Sequence, residues 1–216
     1  RQYLEDIDRA RSDVGAAAPQ IDKLRLFYNH PGFIEVMAER TREAIAQLPA
    51  ELAARAALVY TAHSIPVAMA RNSPYEAQLR EACRLVSERI GRSPWTLAFQ
   101  SRSGPPSQPW LEPDIRDHLA SLAARGRADP VVIVPIGFVS EHVEVLYDLD
   151  VEAAAVCREA GMRMVRAAPA GTHPRFVTMI RELVAERLGT SAERPALGTL
   201  GPAPDLCPAD CCRREW

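Results

Sequence analysis

From about residue 50 onward the chain repeats one pattern: a short apolar run, a turn, then a longer amphipathic stretch. The runs are Ala57–Ala62, Thr96–Gln100, Val131–Phe138 and Met164–Ala168, and the stretches are Pro74–Ile90, Glu112–Ala124, Ser140–Ala160 and His173–Leu188. Short runs rich in Val and Ile predict strands, and their longer partners with a 3.6-residue period predict helices. Strand alternating with helix implies parallel pairing through right-handed crossovers. The expected class is therefore α/β, an open parallel sheet of about four strands with helices on both faces. Pro31–Gln47 reads as a further helix, packed either on that sheet or on a neighbour outside the chain. Residues 189–204 carry Gly, Pro, Ser and Ala with little periodicity and read as a linker. The expected organisation is a helical segment over 1–50, an α/β domain over 51–188, and a linker with a cysteine-containing tail over 189–216.

Composition narrows the function classes. The chain has 216 residues, 47% hydrophobic, enough for a sizeable core, and its formal net charge of −2 offers neither a broad basic face for nucleic acid nor a polybasic tail for anionic lipid. No run of eighteen apolar residues predicts a membrane span, and the N-terminus lacks a signal-peptide pattern, so a cytoplasmic location is expected. Arg1–Arg11 (RQYLEDIDRAR) already reads as the middle of a charged helix, which predicts a piece of a longer protein.

The candidate chemistry begins at Val59-Tyr-Thr-Ala-His-Ser-Ile-Pro66, where the first strand ends on His63. In open parallel sheets ligands bind beyond the carboxyl ends of the strands, where the strand order changes direction. With the order 2-1-3-4, the first and third strands flank that point. His63 would then share a crevice with Gly137-Phe-Val-Ser-Glu-His-Val-Glu144, and Gln100-Ser-Arg-Ser103 would form the rim. Glu144, Asp148 and Glu152 recur every four residues. On an α-helix each such step drifts about 40°, so the three spread over roughly 80°; a π-bulge, which adds a residue to a turn, would align them better. They form either a solvated acidic face or the wall of the cleft, with Val143, Leu146, Leu149 and Val151 taking much of the rest of the helix.

Other motifs have structural readings. His30 (NHPGF) and His173 (THPRF) each precede a proline and are expected in extended turns that open helices. His118 lies on a polar helix face and is expected to be exposed. Trp110 either lines a pocket or staples the loop before its helix. Cys83 and Cys157 fit as small buried apolar residues. Cys207, Cys211 and Cys212 cluster near the end and are candidates for metal binding, or thiols that simply stay reduced.

Three segments, YTAHSIP, LAFQSRSGPPSQPWLEPD and VVIVPIGFVSEHVEVLYDLDVE, resemble the signature segments of the ferrochelatases, in that order, within a match over most of residues 25–188. The resemblance implies the C-terminal of two similar α/β domains, and insertion of Fe(II) into a porphyrin in haem biosynthesis. It implies His63 and Glu144 as the facing catalytic pair and first contacts of the Fe2+ substrate, with His142, Asp148 and Glu152 along a path for protons or hydrated metal. Glu141 stands where relatives often have Asp, and Val145 where Thr is frequent. The charged helix at the start and the terminal cysteines resemble the actinobacterial type. That type implies coproporphyrin III rather than protoporphyrin IX as substrate, and a [2Fe-2S] cluster on Cys207, Cys211 and Cys212, the fourth ligand lying just ahead of Arg1. A cobalt or nickel tetrapyrrole chelatase and a non-catalytic tetrapyrrole or iron–sulfur sensor are the competing readings. The residue types suit the chemistry: two pyrrole protons must leave and the metal must lose its water shell, which calls for a base beside anionic oxygen ligands.

Overall fold

The computed structural model describes residues 2–105, 107–125, 129–207 and 211. Its elements run α1 (Gln2–Val14), α2 (Pro31–Ile45), α3 (Ala50–Arg55), β1 (Ala57–His63), α4 (Val67–Arg71), α5 (Tyr75–Ile90), β2 (Trp95–Gln100), α6 (Ile115–Ala124), β3 (Val131–Val134), α7 (Val143–Val145), a π-helical segment (Leu146–Ala153), α8 (Ala154–Glu159), β4 (Met164–Arg166) and α9 (Pro174–Arg187). The four strands form one parallel sheet in the order β2-β1-β3-β4. β1 and β3 are therefore neighbours, and the switch in direction falls between them.

Alternation along the strands assigns side chains to two cores. Leu58, Tyr60, Ala62, Leu97, Phe99, Val132 and Val134 meet α2, α5 and α9 through residues such as Ile34, Met37, Val86 and Met179. Val59, Ala98, Val131 and Ile133 meet α6, α7 and the π-helical segment through Ile115, Leu119, Val145, Leu149 and Ala153. Burial on both faces is why the strands read as unbroken apolar runs. Of the two settings open for α2, the sheet is the one it takes: its buried face belongs to the larger core.

His30 and His173 open α2 and α9 as expected. Each accepts a hydrogen bond through Nδ1 from a backbone N–H two residues on, Gly32 at 3.1 Å and Arg175 at 3.2 Å, and each is followed by proline at the first helical position. An imidazole acceptor thus does what Asn or Ser commonly does at that position, while proline removes a donor that would lack a partner.

Several boundaries differ from the pattern. The third run extends to Phe138, but β3 stops at Val134, because Pro135 has no N–H to give the ladder and the chain turns, with Ile136 N bonding Val134 O at 2.8 Å. The helix predicted from Glu112 starts at Ile115, capped by the Asp114 carboxylate accepting from Arg116 N at 2.9 Å. The helix predicted from Ser140 starts at Val143, and Val143, Leu146 and Val151 are exposed; the buried positions are Val145, Leu149, Ala153 and Cys157. His118 is half-buried, not exposed, because it sits one residue before the fully buried Leu119; its Nε2 has no hydrogen-bond partner among the described residues, and burial, then Arg125, lowers its pKa. Residues 189–204 form no helix or strand, yet they pack down: Asn29 donates to the carbonyls of Leu197 and Gly201, and Arg25 to that of Pro195. Among the described residues no helix is long and apolar enough to cross a membrane.

Candidate active site

At the carboxyl edge of the sheet, β1 delivers His63, and the segment after β3 delivers His142 and, on α7, Glu144. Gly137 makes this approach possible. Its N–H bonds Thr61 O at 3.0 Å, and a Cβ there would lie 2.6 Å from the Ala62 Cβ, so only hydrogen fits between the turn and β1. His63 Nε2 then stands 3.9 Å from one oxygen of Glu144, and His142 Nδ1 stands 3.9 Å from the other. The His142 ring also leans on Phe138, with centroids 5.1 Å apart.

The tautomer of His63 follows from its neighbours. Its Nδ1 meets the Ser64 carbonyl, which can only accept, so Nδ1 carries the hydrogen and Nε2 presents a lone pair toward Glu144. The strand end is held from behind as well. The Tyr75 hydroxyl donates to the His63 carbonyl at 2.9 Å, and burial pushes that phenol up to about 12, so it stays a donor. Ser64 bonds across to Gln100 O and Leu111 O. Trp110 takes the loop role: its backbone bridges Pro66, tying the segment after β2 to the segment after β1.

The acids ride on α7 and the π-helical segment that continues it. Leu146 N bonds His142 O four residues back, whereas Ala154 N bonds Leu149 O five back. This wider turn brings residues four apart closer to one line, so Glu144, Asp148 and Glu152 form one row and Val145, Leu149 and Ala153 form the buried row beside it. Asp148 accepts from the Ser101 hydroxyl and from Gln100 Nε2 at 3.4 Å. Glu152 is 3.5 Å from Arg116 Nη1. Glu141 turns away to Arg166. The pattern of acids alone did not reveal Gln100, Ser101 and Arg116 as partners; for the first two the signal was QSRS at the end of the second strand, read only as a rim.

Cys207 and Cys211 are partly exposed, and Cys212 lies outside the described residues. Cys83 and Cys157 are sealed in the two cores, where burial raises both thiols, that of Cys157 to about 11. Neither offers the thiolate that iron–sulfur binding needs. Among the described residues no group of three or more His, Cys, Asp or Glu side chains is placed to hold a metal ion. They do not complete a [2Fe-2S] ligand set.

A family model described as Ferrochelatase matches residues 1–188. The chain belongs to the ferrochelatase family. It is 56% identical to a protein named Ferrochelatase from Rhodopirellula baltica, over 98% of this chain and 60% of that protein. It is 47% identical to one named Coproporphyrin III ferrochelatase from Nocardia farcinica, over 98% of this chain and 63% of that protein. The chain thus spans about 60% of the length of these ferrochelatases. A solved multi-domain protein of Deinococcus radiodurans, described as structurally similar to chelatases, aligns at TM-score 0.46 and 22% identity over 74% of this chain and 30% of its own.

Proposed function

We propose that, within a longer protein, this chain forms one wall of a ferrochelatase site that inserts Fe2+ into coproporphyrin III in the cytoplasm. The observation that carries the reading is the pair His63–Glu144, 3.9 Å apart at the sheet's switch point, one at the end of β1 and the other on α7. His63 Nε2 takes a pyrrole proton, and the carboxylate of Glu144 steadies the imidazolium so formed. His142 Nδ1 faces the second Glu144 oxygen at 3.9 Å. Asp148 and Glu152 continue the row as a path for departing protons or arriving hydrated iron. The same helix exposes Val143, Leu146 and Tyr147 around Glu144, apolar surface that suits a flat macrocycle. The α/β domain over 51–188 is the part that faces it. The choice of coproporphyrin III rests on relatives such as that of Nocardia farcinica, which carries the substrate in its name. Cys207, Cys211 and Cys212 belong to the proposal as three ligands of a [2Fe-2S] cluster completed from outside this chain, and no step of metal insertion passes through it.

The test is anaerobic metallation by the full-length protein, with Fe2+ and either coproporphyrin III or protoporphyrin IX, beside His63→Ala. The variant is expected to lose about 10²- to 10⁴-fold in rate, the range for a general base. Equal rates would remove the catalytic assignment. Preference for protoporphyrin IX would overturn the substrate, and porphyrin binding without turnover would make the protein a sensor.

A further inference from the structure

Gln100, the last residue of β2, is 1% exposed and is pinned by its pairing with His63 on β1. Its Nε2 donates to the backbone carbonyl of Glu144 at 3.0 Å and reaches the Asp148 carboxylate at 3.4 Å. The next residue, Ser101, holds φ at +60° and gives its hydroxyl to the same Asp148 oxygen. The Glu144 carbonyl lies at the junction where backbone bonding passes from four-residue to five-residue spacing. Carbonyls at such a change of pitch lose their in-line donor, and here a side-chain amide supplies one. The amide cannot turn over, since its oxygen would then face two acceptors.

The other end of the amide rules out simple space filling. Gln100 Oε1 is buried with no hydrogen-bond partner among the described residues. An unpaired buried acceptor is a cost that Met or Leu would avoid at the same volume. We propose that Gln100 is a positioning residue: its amide holds the helix in five-residue register and so sets Glu144 and Asp148 relative to His63. The structural half of this stands alone, while its catalytic consequence rests on the ferrochelatase reading above.

The test compares Gln100→Met, which keeps volume and removes the amide, and Gln100→Glu, in the full-length protein. Amide hydrogen exchange is followed in peptides covering 143–157, with the α5 and α6 peptides as reference. Gln100→Met is expected to speed exchange about tenfold in 143–157 alone. In metallation it is expected to lower kcat about tenfold or more with KM for porphyrin held within about twofold, because the acids are misplaced and binding surface is not lost. Gln100→Glu donates only when protonated, so protection of 143–157 is expected to return as pH falls into the carboxylic range, a response that a space-filling role does not produce. Unchanged exchange in Gln100→Met, or faster exchange across all peptides, overturns the proposal, as does a loosened segment with kcat intact. An unmutated protein that fails to metallate would sink the ferrochelatase reading, and the exchange measurements would still decide the register claim.

Discussion

The two faces of the sheet treat charge in opposite ways. On the face covered by α2, α5 and α9, charges are matched, and one pair is closed off from solvent. Arg25 and Glu186, with side chains 1% and 7% exposed, pair at 2.7 Å; Glu186 also meets Arg194, and Arg175 bridges Glu35 and Glu182. On the face covered by α6 and the π-helical segment the core is smaller, and at its carboxyl edge His63, His142 and Glu144 stand at 3.9 Å, beyond hydrogen-bond length and open to solvent. The histidines differ as well: His30 and His173 each spend Nδ1 on capping, and His30 Nε2 is buried, while His63 Nε2 faces Glu144 at the open edge. One face is finished as a structure; the other leaves one edge with charged groups that do not reach one another.

This contrast predicts that substitutions on the matched face are read in stability and substitutions at the open edge in activity. The largest stability effect is expected for Arg25→Met, which leaves Glu186 buried. Loss of such a partner costs about 3–5 kcal/mol, and the value here should fall near about 3 because Arg194 remains on Glu186. Denaturant unfolding would measure it, and a loss below about 1 kcal/mol would mean that the pair is not closed off as described. Gly137→Ala sharpens the other side. Its methyl would collide with Ala62, costing about 1–3 kcal/mol as overpacking and pushing the Glu144 turn off β1. Metallation should therefore fall by more than the stability loss explains; an active, merely destabilised variant would break the distinction.

The smallest effect concerns pH. Burial, then the Arg25 charge, lowers the His30 pKa, against the opposing pull of Glu182 and Glu186 and with Arg175 adding to the lowering. A depressed histidine is protonated more readily in the unfolded chain. Its contribution is therefore present above the unfolded pKa near about 6.5 and is lost as pH falls toward the folded value, with a slope of at most about 1.4 kcal/mol per pH unit. His30→Asn keeps a capping acceptor and removes the titration, so its stability should depend less on pH below about 6.5 in the same unfolding assay.

Much of this was legible in the residue pattern, for physical reasons. Apolar runs bounded by turns marked four strands because strands buried on both faces leave little room for polar residues, and β1 and β2 emerged within a residue of their expected ends. The position of His63 followed from strand order. What stayed hidden depended on contacts between distant segments. Val131–Phe138 is apolar throughout, yet Pro135 ends the strand partway. Val143, Leu146 and Val151 are apolar yet exposed, because the wider turn rotates Val145 and Ala153 inward instead. Gln100 looked like a rim residue because nothing local tells that its amide meets a carbonyl on another element.

The π-helical segment fixes a length as well as a geometry. Substitutions there can be absorbed one side chain at a time, but removing a single residue between Leu146 and Ala153 would let the turn relax to ordinary pitch and break up the row of acids. Descendants of this gene are free to vary the chemistry of that stretch far more readily than its residue count.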